Sequence, residues 1–172
     1  MIQRKNLPTN TLPNLYIDEE QLDMQSSADF LGVRVDDTPY WEEEVEKVIG
    51  KVAKGLFVLR SVSKLRNSQL SKMVYFSLIN SHFTYSIVLW GAWKGHLQRA
   101  FIWQKKAVRA ICGMQQQEHC KQAFIECKIL TLPSLFIMES IMYIVQNQKY
   151  ISLRHNTYIT PDTNIFLLNN IN

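Results

Sequence analysis

Acidic residues are scarce over most of this sequence. Residues 47–172 hold four, Glu118, Glu126, Glu139 and Asp162, against 16 Lys and Arg, a net of +12. Residues 1–46 reverse the balance, with 11 acidic and 3 basic residues and a net of −8, so the overall +4 conceals a sharp division. Cysteine is sparse too. Cys112, Cys120 and Cys127 are an odd set at spacings that match no disulfide framework or zinc template, so reduced, buried thiols are expected. His119 beside Cys120 adds no metal site: neighbours on a helix diverge by ~100°, and a structural zinc needs four converging ligands. Only 6 Gly and 5 Pro occur, which excludes collagen-like repeats, and 47% hydrophobic residues exclude intrinsic disorder. The composition supports one domain, or one with a small annex.

Targeting signals are also missing. The opening MIQRKNLPTN has no apolar run and no Asn-x-Ser/Thr acceptor occurs, which agrees with an intracellular chain, nuclear or cytoplasmic. Met73 to Trp93 contains no Asp, Glu, Lys or Arg. Asn80-Ser81-His82 at its centre, followed by Thr84 and Ser86, keeps it from being the continuous span of about 20 residues that a bilayer needs. A buried core helix is expected instead, with no membrane partner.

The pattern divides the chain into four parts. Residues 1–14, with Pro8, Pro13 and three Asn, read as an irregular lead-in. Within 15–40, Leu15-Tyr16-Ile17, Gln21-Leu22-Asp23-Met24 and the run Phe30 to Val35 read as strands, the last stopped by Asp36-Asp37-Thr38-Pro39. A small antiparallel sheet is expected there, with one face resting on another element. Residues 41–150 read as a helical bundle, and 151–172 as a weakly specified tail. The fold class is therefore mainly α, with a small N-terminal antiparallel sheet (α+β).

Five helices are expected in the bundle. In the first, Trp41 to about Arg66, apolar Val45, Ile49, Val52, Leu56, Leu59 and Val62 trace one stripe. Lys47, Lys51 and Lys54 form a basic stripe on another face, and Glu42, Glu43 and Glu44 occupy the first turn, where the helix dipole favours carboxylates. Ser68 is expected to cap a second, nearly uncharged helix, Gln69 to Leu89, at the centre of the bundle. A third runs from His96 to Cys112 and stops at Gly113. Leu97, Phe101, Gln104, Val108 and Ile111 line one side of it, and Arg99, Lys105, Lys106 and Arg109 lie largely off that side. Glu118 to Cys127 and Ser134 to about Gln148 complete the set.

A net +12 on a helical bundle is the electrostatic footprint of a polyanion partner, most plausibly nucleic acid; a soluble basic domain without such a partner fits the same count. Lys47, Lys51, Lys54, Arg99, Lys105, Lys106 and Arg109 are the candidate phosphate-contacting residues, since a duplex is gripped through its backbone by basic side chains on one helical face. His82, Trp90 and Trp93 suit core packing better than base stacking. His119 reads as a structural or capping histidine.

The order of short motifs resembles one family. Phe30-Leu31-Gly32-Val33-x-x-Asp36, Trp41, and Val45-x-x-Val48-x-x-Lys51-x-x-x-Gly55-Leu56-x-x-Leu59-Arg60 resemble the palm–thumb junction of reverse transcriptases of non-LTR retrotransposons of the jockey and related LINE-like type. The similarity continues through Ile79-Asn80-Ser81-His82-Phe83-x-Tyr85, Leu89-Trp90-Gly91 and Gln104-Lys105-Lys106-Ala107-x-Arg109-x-Ile111. It extends to His119-Cys120, Ile129-Leu130-Thr131-Leu132, Glu139, and His155 and Tyr158. The chain departs from the pattern at Glu43-Glu44, where a His usually follows the Trp, and at Tyr85-Ser86, where the family has Tyr-Gly.

The resemblance implies a thumb-like bundle that grips an RNA or DNA template–primer duplex without reading sequence. In the intact enzyme, palm carboxylates of an aromatic-x-Asp-Asp turn hold two magnesium ions; that turn would precede Leu31-Gly32-Val33, before Met1. Asp36-Asp37 is no substitute, because Thr38-Pro39 follow where a returning strand is needed. The expectation is a catalytically incomplete part of an RNA-directed DNA polymerase, with no cofactor of its own. The alternative is a catalytically dead protein–protein interaction module that self-associates through an exposed palm-facing surface.

Overall fold

The computed structural model describes residues 16–17, 20–21, 26–36 and 40–148. The lead-in 1–14, Leu22, Met24, Asp37-Thr38-Pro39 and the tail 151–172 lie outside the described residues. Among the described residues, four short strands precede a run of helices, giving a mainly α chain with a small antiparallel β part. β1 (Tyr16–Ile17) pairs antiparallel with β2 (Glu20–Gln21), and β3 (Ser27–Phe30) with β4 (Val33–Asp36). These are two separate two-stranded ladders rather than one sheet. The run Phe30 to Val35 is a hairpin and not a single strand. Leu31 (φ 48°) and Gly32 (φ 81°) make a two-residue turn, and positive φ at both positions matches the twist of the flanking strands.

The helices are α1 (Glu42–Ser63), α2 (Ser68–Tyr75), a π-helical turn (Phe76–Asn80), α3 (Ser81–Trp90), α4 (Lys94–Cys112), α5 (Lys121–Cys127) and α6 (Leu132–Gln146). The apolar stripe of α1 faces inward, with Val45, Val52, Leu56 and Leu59 buried and Val48 added to them. Asn67, not Ser68, caps α2: its side chain accepts from the Leu70 amide at 3.0 Å. Both residue types cap well, and the chain direction at this turn selects the earlier one. Gly113 closes α4 in the left-handed conformation (φ 66°). Thr131 caps α6, ahead of Pro133 in its first turn.

The uncharged segment forms the centre of the bundle, and Tyr75, Ile79, Phe83, Ile87 and Trp90 are fully buried. It is not one regular helix. The Ser77 hydroxyl donates to the Met73 carbonyl at 2.9 Å, Ser81 to Ser77 at 2.5 Å and Thr84 to Asn80 at 3.1 Å. Hydroxyls that compete for carbonyls four residues back loosen a helix, and here the chain widens into the π-helical turn. That turn bulges toward α1, where Gly55 admits it: a Cβ on Gly55 would lie 2.6 Å from the Leu78 carbonyl oxygen.

One fully buried polar side chain joins three parts of the bundle. The Gln104 amide nitrogen donates to the Tyr75 hydroxyl and to the Leu130 carbonyl, both at 2.9 Å, and its oxygen accepts from the Leu132 amide at 2.7 Å. α4 is thereby fixed to α2 and to the start of α6. Burial pushes the Tyr75 phenol up to about 12, against the hydrogen bond from Gln104, which lowers it.

Among the described residues, no single helix is long and apolar enough to cross a membrane. The pair α5 and α6, bent by 50° at their junction, passes the same test only when taken together.

Gly55→Ala is expected to lose about 1–3 kcal/mol of unfolding free energy by forcing α1 off the π-helical turn. Gly50→Ala, with nothing within 4 Å of the added carbon, is expected to gain about 0.5–1 kcal/mol, because only backbone entropy changes. Denaturant unfolding of the two variants checks both signs. Tyr75 gives a pH test. Its folded pKa lies above its unfolded value of 10.0, so its contribution is fully present below pH 10 and is lost as pH rises toward about 12. Denaturation midpoints of wild type and Tyr75→Phe are expected to differ at neutral pH and to converge across that window.

Candidate nucleic-acid interface

The seven basic residues singled out in the sequence do not form one face. Lys47 donates to Asp29 Oδ1 at 2.6 Å and to the Gly32 carbonyl at 2.9 Å, holding the β3–β4 hairpin on α1. Arg34 completes this attachment. Its amide donates to the buried Glu44 carboxylate at 2.7 Å, and its guanidinium reaches Glu43 at 2.9 Å, Ser27 at 2.9 Å and Asp29 at 3.2 Å. The Tyr85 hydroxyl donates to the Leu31 carbonyl at the hairpin's tip. Lys47, together with Arg34, holds the Asp29 carboxyl below the usual carboxylate range. Glu43 raises the Arg34 guanidinium above its ordinary value.

Arg99 is engaged elsewhere. Its guanidinium pairs with Glu42 and Glu46, one turn apart on α1. His96 lies 3.4 Å from Glu42 and 2.5 Å from the Tyr40 carbonyl. The Tyr40 and Trp93 rings meet edge-on at 5.2 Å. This cluster ties the start of α4 to the start of α1. Trp93 is 41% exposed in it, so the core placement expected for it does not hold, because α3 ends at Trp90 and the chain turns outward; Trp90 itself is fully buried.

Lys51 and Lys54 are exposed on a further flank of α1. Burial, and then the Lys51 ammonium, pull the His82 pKa below its ordinary value.

The remaining three converge. Lys105, Lys106 and Arg109, on the C-terminal half of α4, line an open groove of about 640 Å³ together with Arg60 and Ser63 of α1. Arg60 is not among the seven candidate phosphate-contacting residues. It lies nine positions beyond Lys51, which at ~100° per residue turns it to the opposite side of α1 and toward α4. Its signal was its place in the last turn, clear of every acidic residue on α1.

Lys105 and Arg109 also line a neighbouring groove of about 270 Å³ with His119 and Lys121. The cations are thus shared along a continuous strip. His119 is exposed there, and the start of α5 has no side-chain cap, so the capping role expected for it is not what the structure has.

Aromatic rings and one carbonyl hold the strip in place. Lys105 Nζ sits 4.3 Å from the Phe101 ring centre and Lys106 Nζ 4.2 Å from that of Trp103. Such contacts orient an ammonium without neutralising it. Arg109 Nε donates to the Glu118 carbonyl at 2.9 Å. The Glu118 carboxylate is occupied by the Gln115 amide at 2.8 Å. Among the described residues, Arg60, Lys105, Lys106 and Arg109 form no ion pair. Four uncompensated cations around an open groove suit a row of phosphates.

Among the described residues no group of three or more His, Cys, Asp or Glu side chains is placed to hold a metal ion. Asp36 sits at the end of β4, opposite Ser27. No family model, curated protein or solved structure matches this chain.

Arg99→Gln is expected to lower unfolding free energy by about 0.5–1 kcal/mol, since it breaks a paired contact between α1 and α4. Lys106→Gln is expected to stay within about 0.5 kcal/mol of wild type, as surface substitutions away from such contacts do. Chemical denaturation of the two variants separates the structural cation from the uncompensated one.

Proposed function

We propose that this chain is the thumb-side part of a reverse transcriptase of the non-LTR retrotransposon kind, without polymerase activity of its own, and that it grips a template–primer duplex through the strip on α1 and α4. The observation that carries this reading is the convergence of Arg60, Lys105, Lys106 and Arg109 on one open groove with no acidic partner among the described residues. The net +12 of residues 47–172 supports it, as do the ordered motifs from Phe30 to Ile111. Contacts of this kind recognise backbone phosphates and leave base edges unread, so RNA–DNA hybrids and other duplexes of random sequence bind alike. The compartment that goes with this partner is nuclear or cytoplasmic.

A second reading is favoured by α6. Ile137, Ile141, Ile144 and Val145 are each more than half exposed, and an apolar face of that kind suits a helical interaction module.

Titration of a fluorescent RNA–DNA hybrid against salt distinguishes the two. Duplex gripping through four phosphate contacts gives a slope of log affinity on log salt of about −3 to −4. Replacing Lys105, Lys106 and Arg109 by Gln is expected to reduce that slope by about three. A slope near zero, or a triple variant that binds as wild type does, overturns the duplex reading in favour of apolar association.

A further inference from the structure

Two of the three cysteines meet where helices end. Cys112 is the last residue of α4, before the left-handed Gly113, and Cys127 is the last residue of α5, before the left-handed Lys128. Their sulfurs are 3.3 Å apart and both are free thiols. Cys120 opens α5 at its other end and is also a free, buried thiol. Cys112 is an exposed residue whose sulfur turns inward to the buried Cys127, so an oxidant from solvent reaches the pair through Cys112.

We propose that Cys112 and Cys127 form an oxidation site that closes to an intramolecular disulfide and bolts the end of α4 to the end of α5. Bond formation shortens the sulfur separation from 3.3 Å to about 2.05 Å. The oxidant class is a small disulfide such as oxidised glutathione. The Cys112 thiolate attacks one glutathione sulfur and releases the first glutathione as thiolate. The Cys127 thiolate then displaces the second from the mixed disulfide. Two protein thiols and one glutathione disulfide become one protein disulfide and two glutathiones, the two protons passing to the glutathione thiolates.

The consequence follows from what lies between the two cysteines. Gly113, Met114 and Gln116 form part of the wall of the larger basic groove, and Arg109 reaches Glu118 in the same segment. The disulfide closes both ends of this segment and fixes that wall. It depends on the placement of α4 and α5 alone and not on what the groove binds.

Burial holds the Cys112 thiol up at about 12; Cys127 and Glu126 add to the shift and Lys72 of α2 opposes it. The site is therefore slow near neutrality, and its rate rises about tenfold per pH unit while the thiol stays mostly protonated.

The test is to incubate the full chain, folded, with oxidised glutathione at pH 7 and pH 9, alkylate the remaining thiols and map the peptides by mass. The expected product links Cys112 to Cys127, leaves Cys120 alkylated and raises Tm by about 10 °C. Cys120→Ser is expected to give the same link. A glutathione adduct that persists on Cys112, a link to Cys120, or three alkylated thiols after prolonged exposure at pH 9 would each overturn the proposal.

Discussion

The bundle depends on one buried amide. Gln104 occupies a position where the helical period calls for an apolar side chain, yet both ends of its amide are satisfied, by Tyr75, Leu130 and Leu132. A buried polar group with all its partners fixes geometry as an apolar one cannot, because any slip of the helices leaves a donor or acceptor bare. α2, α4 and the entry to α6 are therefore locked in register. The basic half of α4 is carried on that frame, with Lys105 and Lys106 following Gln104 directly in the chain.

The division of charge along the sequence has a structural use. The acidic N-terminal part supplies Asp29, Glu42, Glu43, Glu44 and Glu46. These take up Lys47, Arg34 and Arg99 in docking the hairpin and the start of α4 onto α1. Basic residues within reach of that part become structural. Those near the opposite ends of α1 and α4 lie beyond it, and their charge stays available to solvent and to ligand. Among the described residues the electrostatic asymmetry is thus laid along the length of two packed helices, ion pairs at one end and cations without an ion pair at the other.

Such an arrangement supports the proposed backbone grip through charge and fixed position. Lysines held over aromatic rings keep their full charge while losing few alternative conformations on binding. The groove is open and carries no constellation of carboxylates for metal-assisted transfer among the described residues. Under the proposed duplex reading, what it offers a nucleic acid is position and charge.

The sequence by itself determined the helical class, the inward stripe of α1, the central place of the uncharged segment and the stop at Gly113. Each of these rests on local periodicity or on a single residue's backbone preference. It also marked the basic residues of α4. It did not show that Phe30 to Val35 folds back at Leu31-Gly32, because Phe30, Leu31, Val33 and Val35 read as one apolar run. Nor did it show that hydroxyls would open the central helix into a π-helical turn against Gly55. The tertiary fold separated Lys47 and Arg99, which meet carboxylates 18 and 53–57 positions away, from Lys105, Lys106 and Arg109, which meet none among the described residues, and brought Arg60 to join them. The physical reason is that a charge pattern records which residues are cationic, while whether each is neutralised depends on which distant segment the fold lays beside it.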